Sequence, residues 1–100
     1  MAKHIIWSPQ AEIDLTQILE YYFFLVEARD YARKLNSIFE KEIELISKFP
    51  LIGKSTNREK IRVKIVGHYY IIYENSTDFI FVLRLWDSRQ DPLKLNIELK

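Results

Sequence analysis

The spacing of apolar residues changes character once along this chain, and that change constrains the fold more than any other feature. Up to Phe49 apolar side chains recur every three or four positions; from Ile61 onward they alternate or run almost without interruption. The first spacing is that of a helix with one buried face and the second that of strands, so the sequence predicts helices followed by a sheet, an α+β arrangement. Ala11, Leu15, Ile18, Leu19 and Tyr22 fall on one face of a first helix that runs from Pro9 to about Val26. Ser8 is placed to cap it, and Pro9 is tolerated in its first turn. A second series, Ala28, Tyr31, Ala32, Leu35, Ile38, Phe39, Leu45, Ile46 and Phe49, stops where Pro50 and Gly53 forbid continuation. With so little chain between them, the two helices are expected to form an antiparallel hairpin.

Residues 53–60 are polar without periodicity and read as a loop. Three strands follow: Ile61, Val63 and Ile65 alternate with Arg62 and Lys64, Tyr69 to Tyr73 is aromatic and β-branched, and Phe79 to Trp86 is apolar at nearly every position. Gly67-His68 and residues 75–78 are turn-like, so these strands form a meander. Lys3 to Trp7 reads as a further strand ahead of the first helix. The expected order is therefore β-α-α-β-β-β, a helical hairpin packed on one face of a mainly antiparallel four-stranded sheet. Leu15, Ile18, Leu35, Phe39, Ile46, Tyr73 and Val82 are expected in its core. Phe79 to Trp86 should lie inside the sheet, because a strand covered on both faces tolerates such a run. Two registers are open for the hairpin at Gly67. A three-residue loop, the expected one, pairs Val66 with Tyr70 and puts Arg62, Lys64 and Tyr70 on one face; a two-residue loop puts Tyr70 opposite.

One hundred residues suffice for one core, so residues 1–100 are read as a single domain. The chain has no cysteine, which suits a reducing compartment and makes cytoplasm the default location. Its longest apolar run, Tyr21 to Val26, is six residues, against roughly 20 for a membrane-spanning helix. No membrane association is expected. Fifteen Lys and Arg against fourteen Asp and Glu leave a net charge of +1 and no strong overall pull on nucleic acid. The charges are unevenly placed, however: Lys54, Arg58, Lys60, Arg62 and Lys64 stand against the single acid Glu59.

Several chemistries lack their residues. Two glycines do not make a phosphate loop, His4 and His68 are too far apart for a zinc-hydrolase pair, and no serine sits in a nucleophile elbow. No metal or other cofactor is expected. What remains is a set of cations, Arg62, Lys64, Arg84 and Arg89, beside Tyr69, Tyr70 and Tyr73, suited to phosphate neutralisation and base stacking. From composition alone, Arg62 and Lys64 read as the solvated face of an edge strand. Arg84 interrupts an apolar strand and needs an open groove or an ion-pair partner such as Asp87 or Glu74. Tyr21 to Val26 covers every side of its helix, so Tyr21, Phe23 and Phe24 are candidates for a partner surface, or for burial beneath the chain ends. Arg84 and Trp86 join them as candidate binding residues.

Taken in order, Trp7-Ser8-Pro9 with Ala11 and Asp14-Leu15, Phe49-Pro50-Leu51-Ile52-Gly53, Ile61-Arg62-Val63, Gly67-His68-Tyr69 with Ile72-Tyr73, and Leu83-Arg84-Leu85 with Arg89-Gln90-Asp91-Pro92 resemble the RelE/ParE toxin superfamily. That family has the same β-α-α-β-β-β order. The resemblance implies the toxin of a bacterial type II toxin-antitoxin module, of the plasmid-stabilisation type, held inactive in an oligomeric complex by a cognate antitoxin. RelE-like members cut messenger RNA on the ribosome with basic residues of the sheet; ParE-like members inhibit DNA gyrase. Arg62, Lys64 and Arg89 keep three nuclease positions and are catalytic, with Tyr70, only under the nuclease reading. Tyr70 stands where those nucleases have an arginine, Leu95 where they have a C-terminal tyrosine, and Asp87 where many members have a histidine. These departures remove candidates for proton transfer and for phosphorane stabilisation. The expectation is therefore a ParE-like, non-enzymatic gyrase inhibitor, with a ribosome-dependent messenger RNA endonuclease and an inactive antitoxin-binding relic as alternatives.

Overall fold

The computed structural model describes residues 2–90. Strand β1 (His4–Trp7) leads into α1 (Pro9–Phe23), a 3₁₀ turn (Val26–Ala28) and α2 (Arg29–Lys48). Then come β2 (Lys54–Ser55), β3 (Ile61–Val66), β4 (Tyr69–Asn75) and β5 (Phe79–Asp87). The sheet order is β1-β5-β4-β3-β2, with β1 parallel to β5 and every other pair antiparallel. Both helices lie on one face, as the periodicity requires. Among the described residues no helix is long and apolar enough to cross a membrane.

Ser8 joins the sheet to the helix. Its hydroxyl oxygen accepts from Ala11 N at 3.0 Å, satisfying one of the free donors of the first turn, while its hydroxyl donates to Leu83 O at 2.8 Å. The core beneath the helices is Ala11, Leu35, Phe39, Ile43 and Ile46 against Tyr69, Ile71, Tyr73, Ile80, Val82 and Leu85, all buried. Leu15 and Ile18, expected in this set, are only half-buried, since they line the rim where α1 leaves the sheet.

Four further expectations need correction. The segment read as a loop contributes β2, whose two residues pair with Val63 and Arg62 and make the sheet five-stranded; so short a strand carries no periodicity to read. Helix α1 stops at Phe23, before Val26. The hairpin at Gly67 is the two-residue form: Val66 pairs with Tyr69, and Gly67 has φ +59°, the left-handed conformation that glycine adopts without strain. Finally, β5 is internal by hydrogen bonding, between β1 and β4, but its outer face is uncovered enough to leave Phe79 exposed and Phe81 and Leu83 half-buried.

A β-bulge sets the phase of β5. Tyr73 pairs with Val82 but Ile72 with Arg84, so Leu83 is the extra residue. Unbroken alternation from Val82 would turn Arg84 and Trp86 into the helical core. The bulge instead gives that face to Leu85 and sends Arg84 and Trp86 to the outer face, where Trp86 packs with Val63 and Ile72.

Candidate functional site

Arg84 acquires its partner from α1. Its Nε and Nη2 donate to the two carboxylate oxygens of Asp14 at 2.7 and 3.1 Å, and Leu85 N donates to the same carboxylate at 3.1 Å. Strand β1 ends at Trp7, opposite Val82, so the edge of β5 beyond that point has no neighbouring strand among the described residues. Asp14 takes its place, satisfying a donor that would otherwise be buried unpaired. The expected partners Asp87 and Glu74 are both wrong: Asp87 is bound to Arg89, and Glu74 accepts from Ser76. The Arg84 guanidinium also lies 5.2 Å from the Trp86 ring, whose buried Nε1 has no hydrogen-bond partner among the described residues.

Beside this clasp, α1 and β5 bound an open groove of about 590 Å³ that includes Asp14, Tyr22, Tyr69, Arg84, Asp87 and Arg89. Its cations are already neutralised. Arg89 donates to Asp87 through Nε and Nη2, at 2.9 and 2.7 Å, and this guanidinium holds the Asp87 carboxyl below the usual carboxylate range. Tyr69 Oη is 3.4 Å from Tyr22 Oη, and burial pushes the Tyr69 phenol well above its ordinary pKa. It is therefore held protonated, which makes it a poor base.

The four residues of the nuclease reading do not assemble. Arg62 and Lys64 face the helices and are both engaged: Arg62 Nη1 donates to Gly53 O at 2.7 Å and Leu51 O at 3.3 Å, and Lys64 Nζ is 3.4 Å from a Glu42 carboxylate oxygen. Tyr70 faces the opposite side of the sheet with Trp86 and Val63, as the two-residue turn dictates. The expected common face for Arg62, Lys64 and Tyr70 does not exist, because one residue of loop length reverses every side chain of a strand. Among the described residues no group of three or more His, Asp or Glu is disposed to hold a metal ion.

The aromatic run at the end of α1 is exposed as the sequence suggested. Tyr21 is 65% and Phe24 73% exposed, with Phe23, Leu25 and Tyr31 beside them. Hydrogen bonds and a cation–ring contact link the residues of this tip. Phe24 N donates to Glu20 O and Leu25 N to Tyr22 O, Arg29 Nε donates to Phe23 O at 3.3 Å, and the Arg29 guanidinium lies 5.3 Å from the Phe23 ring. None of the described residues buries Tyr21, Phe23 or Phe24; the C-terminal chain end, from residue 91, lies outside the described residues.

A second exposed apolar surface, at Phe49, Leu51 and Ile52, is one to which the sequence analysis does not point. The signal was present in the sequence as an apolar run around Pro50, but helical and strand periodicities both ignore a turn. Leu95, and the segment beyond Pro92, lie outside the described residues.

Comparison with known proteins gives two findings. A family model described as the ParE toxin of the type II toxin-antitoxin system, parDE, matches residues 5–92. Among solved structures, a chain of a chromosomal ParDE toxin-antitoxin system from P. aeruginosa superposes with a TM-score of 0.72. The two share 16% identity over 86% of this chain and 96% of that one, a likeness of fold. No curated protein matches.

Proposed function

Because the chain belongs to the ParE toxin family of type II toxin-antitoxin systems, we propose that it is the toxin of such a pair, that it works in the cytoplasm by binding DNA gyrase without hydrolytic chemistry, and that a cognate antitoxin silences it. The observation that carries this reading is the dispersal of the nuclease residues. Arg62, Lys64 and Arg89 are each committed to an internal acceptor, and Tyr70 lies on the far face of the sheet from the first two. Messenger RNA cleavage needs a base near the ribose 2′-hydroxyl and free cations on the phosphate. None of the four residues that the resemblance assigns to those tasks is free to perform them.

The surface for gyrase is the aromatic tip of the helical hairpin. Tyr21, Phe23 and Phe24 are exposed and close in the chain, with Tyr21 against Tyr22 and Phe23 against Phe24, the composition that dominates the energetics of protein interfaces. A bare aromatic patch of this kind is an aggregation liability, which an antitoxin segment folded over it removes. The structural match to a chain of the chromosomal ParDE toxin-antitoxin system from P. aeruginosa supports an antitoxin partner for the present chain.

Two assays on the purified full chain test the reading. Gyrase supercoiling of relaxed plasmid should be inhibited and then restored by the product of the neighbouring gene, and Phe24→Ser should weaken inhibition at least tenfold. Ribosome-bound message should stay intact. Cleavage of that message by the unsubstituted chain, or full gyrase activity at saturating toxin, overturns the proposal.

A further inference from the structure

The surface at Phe49, Leu51 and Ile52 lies at the opposite end of α2 from the aromatic tip, about 30 Å away for a helix of 20 residues. Its side chains are outside because its backbone is held inside. Tyr73, fully buried, donates its hydroxyl to Pro50 O at 2.6 Å and accepts from Gly53 N at 3.0 Å. Arg62 reaches across to Leu51 O and Gly53 O, and Ile52 N donates to Phe49 O at 3.0 Å. A turn whose carbonyls and amide are gripped from below cannot fold its apolar side chains inward. Leu51 is 67% exposed, and Lys48, Phe49, Pro50, Leu51 and Ile52 line an open depression of about 540 Å³.

Two neighbours say what fits there. The depression leads directly into β2, the terminal strand of the sheet, whose outer side is unpaired among the described residues. The same stretch carries Lys54, Arg58 and Lys60, all exposed and in no ion pair among the described residues, beside the single acid Glu59. Lysine on a short edge strand repels a second copy of the same edge, which disfavours pairing of this chain with itself. It attracts an acidic strand. We propose that the Phe49–Ser55 edge is a docking site for an acidic, extended segment of a partner protein, which adds a strand to β2, sets its apolar side chains against Leu51 and Ile52, and places its carboxylates on Lys54 and Arg58. Main-chain pairing supplies affinity in such an arrangement, and the apolar and charged contacts supply selectivity. The site is separate from the aromatic tip and does not depend on the target assigned to that tip.

The probe is a short fluorescein-labelled peptide alternating glutamate with leucine, tested against the full chain by fluorescence anisotropy. Its affinity should fall several-fold as salt rises from about 0.05 to about 0.3 M, because exposed ion pairs are screened over that range. Leu51→Ser with Ile52→Ser should weaken binding at least tenfold, and Lys54→Glu several-fold. Ile13→Ser, an exposed apolar position on α1, should change nothing. A peptide with lysine in place of glutamate, or one N-methylated at alternate residues, should not bind. Equal binding by either of those peptides, or undiminished binding by both the Leu51/Ile52 and the Lys54 variants, overturns the proposal. So does sedimentation showing that the chain self-associates through this edge and that Leu51→Ser abolishes the association.

Discussion

Gly53→Ala tests the grip on the 49–53 turn. Gly53 does not have a positive φ, so its backbone conformation admits alanine, and the substitution alone would favour folding by about 0.4–1 kcal/mol through the unfolded chain. The space does not admit it. A Cβ at this position meets Tyr73 Oη at 2.7 Å, Cε1 at 2.8 Å and Cζ at 3.1 Å. Tyr73 is fully buried and its hydroxyl is fixed at both ends, so the ring has nowhere to go and the turn must lift. Overpacking of this kind costs about 1–3 kcal/mol, and losing the Gly53 N–H to Oη bond about 1 kcal/mol more. After the entropic gain, the net loss should be about 1–3.5 kcal/mol in urea unfolding followed by circular dichroism. A double-mutant cycle with Tyr73→Phe separates the contributions. Removing Oη relieves the closest contact but leaves the ring carbon, so Gly53→Ala should cost less in the Tyr73→Phe background without becoming neutral. A loss below about 0.5 kcal/mol in the otherwise unsubstituted chain, or any gain, refutes the rigid turn and with it the reason that Leu51 and Ile52 face solvent.

Asp14→Ala should cost about 2–4 kcal/mol, since it strands both Arg84, whose side chain is one-third exposed and partly re-solvated, and the buried Leu85 N–H. Asp14→Asn keeps an acceptor for Leu85 N and should cost about half as much; equal losses in chemical denaturation would show that this bond contributes nothing. Burial raises the pKa of both Tyr69 and Tyr73, so the unfolded chain loses these phenolic protons first as pH rises. Stability should hold below the ordinary tyrosine pKa of about 10 and decline above it, and Tyr69→Phe should flatten the decline in urea midpoints measured between about pH 9 and about pH 11. Leu35→Ala, beneath the helical hairpin, should cost about 2–5 kcal/mol in the same measurement; less than about 1 kcal/mol would remove Leu35 from the core.

Regular periodicity is a local property, and what depended on it was legible in the amino-acid sequence. The two helices, the three long strands and the first strand follow from spacings that bury one face of each element, and Ser8-Pro9 and Pro50 mark the ends that capping and proline sterics demand. The exposed aromatics were legible too, because six successive apolar residues cannot all fit on one helical face. Tertiary structure decided which chemistry-bearing side chains meet. A single residue of loop length at Gly67 moved Tyr70 away from Arg62 and Lys64, and both turn lengths were locally acceptable. A bulge without glycine or other marker turned Arg84 outward, and its carboxylate then came from Asp14, 70 positions away, because β1 ends opposite Val82 and leaves that edge of β5 unpaired among the described residues. The orientation of Phe49, Leu51 and Ile52 likewise depends on Tyr73 and Arg62, two strand residues that grip the turn's backbone from β4 and β3. In each case the outcome is set by a non-local hydrogen bond or by the phase of a strand, and neither leaves a trace in the residues that it places.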